Sequence, residues 1–188
     1  MARVEYITRG SLDEDDRFLL DRPINLFKAL ANNPEAMKAF RQPGVWIRHE
    51  CLLDPRLREL AILQIGYMTG CAYEFSHHVK IGKDFGVSGK DIENLISWNK
   101  GNQTDLSELE TGVLAASRQL TSDIELADDL WQSLKTTLGT KRLMELVMII
   151  GHYNYVIRLL RALKVDVEPD WAGPLTDYDP PEELGKWT

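Results

Sequence analysis

Basic charge is scarce in this 188-residue chain, with 22 Lys and Arg against 29 Asp and Glu and a formal net charge of −7. A face that neutralises a run of phosphates needs the opposite balance, so no nucleic-acid partner is expected. Cysteine is scarcer still: two residues are too few for a secreted disulfide scaffold. No apolar run reaches the roughly 18 residues of a membrane span, and Met1-Ala2-Arg3-Val4-Glu5-Tyr6 lacks the apolar stretch of a secretory signal. Gly-rich phosphate loops and dinucleotide fingerprints are missing, so no nucleotide or flavin cofactor is expected. Hairpin turns flanking alternating apolar and polar residues are missing too, so no strand is expected. What is present is a 44% hydrophobic composition. At this length a chain buries roughly 70% of its unfolded surface and needs no disulfide or metal staple. The expectation is a soluble, cytoplasmic protein with one domain.

Helix punctuation fills most of the chain. Asp54-Pro55 places an N-cap acceptor before proline, and the apolar stretch behind it predicts a buried helix ending near Gly70. A second helix is expected from about Cys71 to Phe85, stopped by Gly86. Ser88 with Asp91 reads as a capping box for a helix through about Trp98, and Leu106 to Leu120 as another amphipathic helix. Ser122 with Glu125 suggests a further capping box for a helix ending at Gly139, with Thr140 opening a long one to about Leu163. Upstream, Asn25–Ala31 and Glu35–Phe40 read as short helices separated by Pro34. Leu146 to Ile150 is β-branched, but it sits inside a longer 3.6-residue period that favours helix. The five tryptophans read as core and interface residues. The Pro-rich tail, carrying Trp171, Tyr178 and Trp187, reads as an arm lying on a neighbouring surface. The fold class is all-α: an N-terminal extension at 1–22, a helical domain at 23–166 and a C-terminal arm at 167–188.

The chemistry concentrates in Gly70-Cys71-Ala72-Tyr73-Glu74-Phe75-Ser76-His77-His78. On a helix, Cys71, Glu74 and His78 share one stripe, and Glu74 can orient the His78 ring at i, i+4. A helix N-terminus would favour a Cys71 thiolate while Glu74 opposes it, so the direction of the shift stays open. The plain alternative is also open: a lone helical cysteine is commonly a core residue, and a Glu–His pair a solvated contact. Glu74, His77 and His78 could each ligate a metal. His77, however, points about 100° from His78 around a helix, so no shared site is expected. Cys51 reads as structural. His152, Asn154 and Arg158 lie on the last long helix, where polar side chains ordinarily have partners.

The spacing from Glu59 to Cys71, with Tyr73, Glu74 and His78, resembles the carboxymuconolactone decarboxylase family, which includes alkyl hydroperoxidase D-like proteins. The resemblance runs from Leu26-Phe27-Lys28-Ala29-Leu30 to Gly151-His152-Tyr153-Asn154-Tyr155 and Leu160, and Arg58-Glu59-Leu60-Ala61-Ile62-Leu63 is its other specific piece. It implies an all-α fold assembled as a homo-oligomer, a trimer, hexamer or related ring. In the hydroperoxidase branch a Cys-x-x-Cys pair is the redox centre. By resemblance Cys71 matches the first cysteine, Glu59 and His78 the proton relay, and Tyr73 the intervening tyrosine, with Tyr73 and His77 as site lining. Glu74 stands where the second cysteine would be, so the dithiol chemistry is lost.

Three readings follow. The first is acid–base chemistry on a small organic acid or lactone, of the decarboxylase kind. There His78 is the proton donor or base, Glu74 orients it, Glu59 relays protons, and Arg48, Arg56 or Arg58 binds substrate carboxylate. The second is a single-cysteine peroxidase using Cys71, with Glu59 and His78 as its proton relay. The third is a non-catalytic helical assembly or binding module.

Overall fold

The computed structural model describes all residues, Met1–Thr188. It is all-α, with helices α1 (Asn25–Leu30), α2 (Pro34–His49), α3 (Pro55–Met68), α4 (Ala72–Asp84), α5 (Gly89–Asn99), α6 (Glu108–Ser122), α7 (Asp128–Leu163) and α8 (Pro174–Asp177). Short 3-10 turns occupy Arg9–Ser11, Glu14–Leu20 and Pro169–Trp171.

Helix α3 is the axis of the molecule, with α4, α5, α6 and α7 packed around it. The Asp54 carboxylate accepts from Leu57 N at 3.0 Å, and Pro55 occupies the first turn, where its missing N–H costs nothing. Every residue of α3 from Leu57 to Tyr67 is buried, which explains its lack of a polar stripe. Helices α3 and α4 approach most closely at Gly66, where an added Cβ would lie 3.1 Å from Phe75 N and 3.2 Å from Phe75 Cα. Those are backbone atoms of a packed helix and cannot swing aside. Gly66→Ala should therefore destabilise by about 1–3 kcal/mol through overpacking, more than the ~1 kcal/mol gained in helix propensity. A lower urea midpoint at unchanged m-value checks this.

Several helix ends differ from the sequence expectation. Two helices do meet at Pro34, which is the first residue of α2 where Asn33 Oδ1 accepts from Ala36 N at 3.1 Å and caps it, but α2 does not stop at Phe40. The helix then runs through Pro43 to His49. Proline forfeits one backbone bond there, while the burial of Met37 and Ile47 holds one face against the body. The expected Ser122–Glu125 box does not form. Ser122 is the last residue of α6, Ile124 turns at φ 65°, and the Ala127 N–H is held by Gln119 Oε1 at 2.9 Å. Ser107 and Glu110 form an unanticipated box at the start of α6 instead. Gly139 breaks α7 with φ 74° and ψ 160°, as its placement suggested. Part of α7 is long and apolar enough to cross a membrane by length and composition alone. With 56% of that stretch buried, it serves here as a core helix.

Both ends of the chain fold back onto the helices. Leu12, Leu19 and Leu20 close a small second core with Ala31 and Met37. The C-terminal arm lies on α4: the Trp187 ring stacks on Phe75 at 4.6 Å, and Thr188 exchanges backbone bonds with Gly70 and Ala72 at 2.8 and 3.0 Å.

Candidate active site

The packing of α3 on α4 places four charged side chains in one line. Arg58 Nε lies 3.1 Å from Glu59 Oε1, Glu59 Oε2 lies 2.6 Å from His78 Nδ1, and His78 Nε2 lies 3.0 Å from Glu74 Oε1. All four residues are buried. Burial alone would lower the His78 pKa, but the flanking Glu59 and Glu74 carboxylates outweigh it and push the value up to about 9. Burial likewise opposes ionisation of Glu59, and His78 with Arg58 overcomes it, holding that carboxyl below its ordinary range. At neutral pH the line therefore reads cation, anion, cation, anion, which balances its buried charge.

Glu74 and His78 open onto a cavity of about 410 Å³, whereas Glu59 sits behind His78, off the wall. All four histidines of the chain, His49, His77, His78 and His152, line this one cavity. Arg22, Arg41 and Arg48 join them, and Glu74 is the sole acidic residue on the wall. The lining is thus cationic within an acidic chain. Burial lowers the Arg22 pKa and the nearby Arg48 guanidinium lowers it further. Tyr153 meets His78 edge-on at 5.1 Å, and burial pushes its hydroxyl pKa up. Burial pulls the His152 pKa down despite Glu74 nearby.

Of the three candidate arginines, only Arg48 reaches this cavity. Arg56 is engaged by Asp91 and Glu110, away from the site. Arg58 is spent on Glu59, on the Ile47 carbonyl at 3.2 Å and on the Phe85 face at 4.4 Å. Cys71 is the N-cap residue of α4, and it lines a separate cavity with Arg161 and Lys164 rather than the Glu74–His78 wall. Burial, followed by Glu74, pushes the Cys71 pKa up to about 12. The helix-terminus effect loses to desolvation. Cys51 Sγ contacts Glu145 at 3.4 Å.

His77 and Tyr73 also line the main cavity. Their rings stack at 4.1 Å, and Trp171 of the arm covers the other face of His77 at 4.2 Å. Glu168 lies 2.8 Å from His77 Nε2 and accepts from the Tyr73 hydroxyl at 3.1 Å. Arg22, Glu168 and Trp171 escaped the sequence reading. Each joins the site from an end of the chain with no periodicity or spacing to connect it. His152 and Asn154 separate: His152 faces the cavity, while Asn154 is satisfied by Thr121, the Ile150 carbonyl and Arg158.

Residues 32–100 match the sequence profile of the carboxymuconolactone decarboxylase family. No curated protein matches the chain in sequence. Among solved structures, the chain superposes on the alkylhydroperoxidase AhpD core of an uncharacterized peroxidase-related protein from Ralstonia eutropha JMP134. The TM-score is 0.78 at 15% identity, over 91% of this chain and 94% of that one. A protein of unknown function from Agrobacterium tumefaciens, a putative antioxidant defence protein AhpD, gives 0.67 at 22% identity over 74% and 94%. The debrominase Bmp8, in complex with 2,3,4-tribromopyrrole, gives 0.73 at 16% identity over 94% and 99%. These likenesses establish an AhpD-like all-α fold.

Proposed function

From a chain whose residues 32–100 carry the carboxymuconolactone decarboxylase family pattern on an AhpD-like fold, we propose an acid–base enzyme of the lyase type acting on a small organic acid or lactone. One observation carries the reading: the Glu59–His78–Glu74 line ends at a cavity whose other charged residues are arginines. Arg22 and Arg48 repel each other when the cavity holds no anion. A substrate carboxylate between them relieves that repulsion and fixes the substrate's orientation by charge-assisted bonds.

Within this reading the roles follow from where the groups sit. Both nitrogens of His78 face carboxylates, so His78 stores the proton and Glu74, on the wall, delivers it. In a decarboxylation the C–CO2 bond breaks and its electron pair enters the conjugated acid or lactone. The arginines and His78 balance that charge, and Glu74 passes a proton to carbon while His78 resupplies it. No redox partner is consumed.

Carboxymuconolactone, the compound in the family's name, is the first substrate to try, with CO2 release as the readout. Turnover that disappears in His78→Ala supports the reading. Absence of His78-dependent turnover on this compound and on a panel of small unsaturated acids, with Cys71-dependent peroxide consumption instead, overturns it. Anion binding gives a separate check. Maleate, a small dianion, should bind the wild-type protein, and Arg48→Ala should weaken it about tenfold or more, or ~1.4 kcal/mol, by calorimetry.

A further inference from the structure

We propose that His77 is a second proton-transfer group of this cavity, with Glu168 of the C-terminal arm as the positioning residue that sets its tautomer. The reaction widens accordingly, from decarboxylation alone to a proton shift in an unsaturated organic anion that gives up a proton at one atom and receives one at another. The chemical role rests on the acid–base reading above; the tautomer does not.

The argument starts from Glu168. Its carboxylate takes three contacts, all from donors: the Asn25 backbone N–H, the Tyr73 hydroxyl at 3.1 Å and His77 Nε2 at 2.8 Å. The Tyr73 oxygen is itself an acceptor for Leu26 N–H at 3.2 Å, so its one proton points to Glu168. Burial raises the Glu168 pKa, but these donors overcome it and the carboxyl stays below its ordinary range. An ionised carboxylate only accepts. His77 must therefore carry its proton on Nε2, and the neutral ring presents a bare Nδ1.

That edge has one place to go. Tyr73 and Trp171 cover the two ring faces at 4.1 and 4.2 Å, with interplanar angles of 14° and 10°. Glu168 covers Nε2, and His77 lines the cavity. The neighbouring His78 is built oppositely, with a carboxylate at each nitrogen and its pKa pushed up to about 9. Consecutive residues of α4 thus offer an acceptor and a charged donor to one ligand.

The step balances within the site. The substrate C–H bond breaks, its proton bonds to His77 Nδ1, and the electron pair spreads onto the adjacent carbonyl or carboxylate. A proton from His78 passes through Glu74 to a different substrate atom, and both groups exchange with solvent between turnovers. No oxidant or reductant enters.

Long-range 1H–15N NMR on the full histidine-labelled chain, at a pH where the ring is neutral, reads the tautomer directly. The expected result is a single Nε2–H form of His77, retained in Glu168→Gln, whose amide oxygen still accepts, and lost to a mixture in Glu168→Ala. Maleate should then move the His77 Nδ1 signal. An Nδ1–H form in the wild type, or an unchanged tautomer in Glu168→Ala, overturns the proposal. So does maleate that shifts His78 but not His77. Failure of maleate to bind at all sinks the anion-cavity reading instead, and the tautomer still decides this one. Undocking of the arm alone would disturb Glu168→Gln and Glu168→Ala alike, so the rescue by Gln separates positioning from mere anchoring.

Discussion

Glu59→Gln should shrink the loss of stability that the wild-type chain shows as pH rises from about 6.5 to about 9, the ordinary and folded pKa values of His78. A histidine whose pKa is raised by folding stabilises fully below its unfolded pKa. That contribution disappears as pH climbs through the folded value. For a fully buried ring shifted this far the contribution is about 3 kcal/mol. Glu59 works in the other direction: its lowered pKa contributes above its ordinary 4.5 and is lost as pH falls. The pair is therefore most stabilising between about pH 4.5 and 6.5. Gln at position 59 keeps the shape and removes the anion, leaving Arg58 and His78 without their shared partner. Breaking a buried pair in this way costs about 3–5 kcal/mol. The expected urea midpoints are a large drop at pH 6 and a shallower decline from pH 6.5 to 9 than in the wild type. A wild-type midpoint that stays level across that range would show that His78 is not charged in the folded chain.

Local chemistry made part of this molecule legible. Asp54-Pro55, the Ser88–Asp91 box and the glycines at 70, 86 and 139 mark helix ends because their signals act within one turn. The Glu74–His78 contact follows from i, i+4 spacing. Elsewhere the decisive partner is remote. Pro43 should interrupt α2, yet packing of Met37 and Ile47 carries the helix across it. The Glu59–His78 contact came from a family resemblance, not from spacing, because it joins two helices. Glu168 meets His77 across 91 positions, and Arg22 reaches the cavity from ahead of α1. No periodicity encodes either contact. Cys71 follows the same rule: it precedes Glu74 by three positions, yet as the N-cap of α4 it lines a different cavity beside the chain termini, which no local spacing encodes.

The pH dependence of turnover should distinguish the two chemistries, because they slope in opposite directions. If His78 stores the proton, kcat/KM falls as pH rises through about 9, where the imidazolium is lost. In Glu59→Gln that falling limb should move to lower pH, since one of the two anions that raise the His78 pKa is gone. Glu74→Gln removes the group that hands over the proton and should lower kcat by roughly 10²–10⁴-fold. KM should change little if Arg22 and Arg48, which line the same cavity, hold the substrate anion as proposed. Cys71→Ser should leave turnover near wild type, since Cys71 lines another cavity. Thiol chemistry predicts the reverse pH slope and the reverse dependence on Cys71. The Cys71 thiolate, with its pKa pushed up to about 12, would be vanishingly scarce at neutral pH, so peroxide turnover would climb with pH and vanish in Cys71→Ser. Rates measured across pH 6 to 10 on wild type, Glu59→Gln, Glu74→Gln and Cys71→Ser decide between them. A rising profile that depends on Cys71 would replace acid–base catalysis with redox catalysis on the same fold.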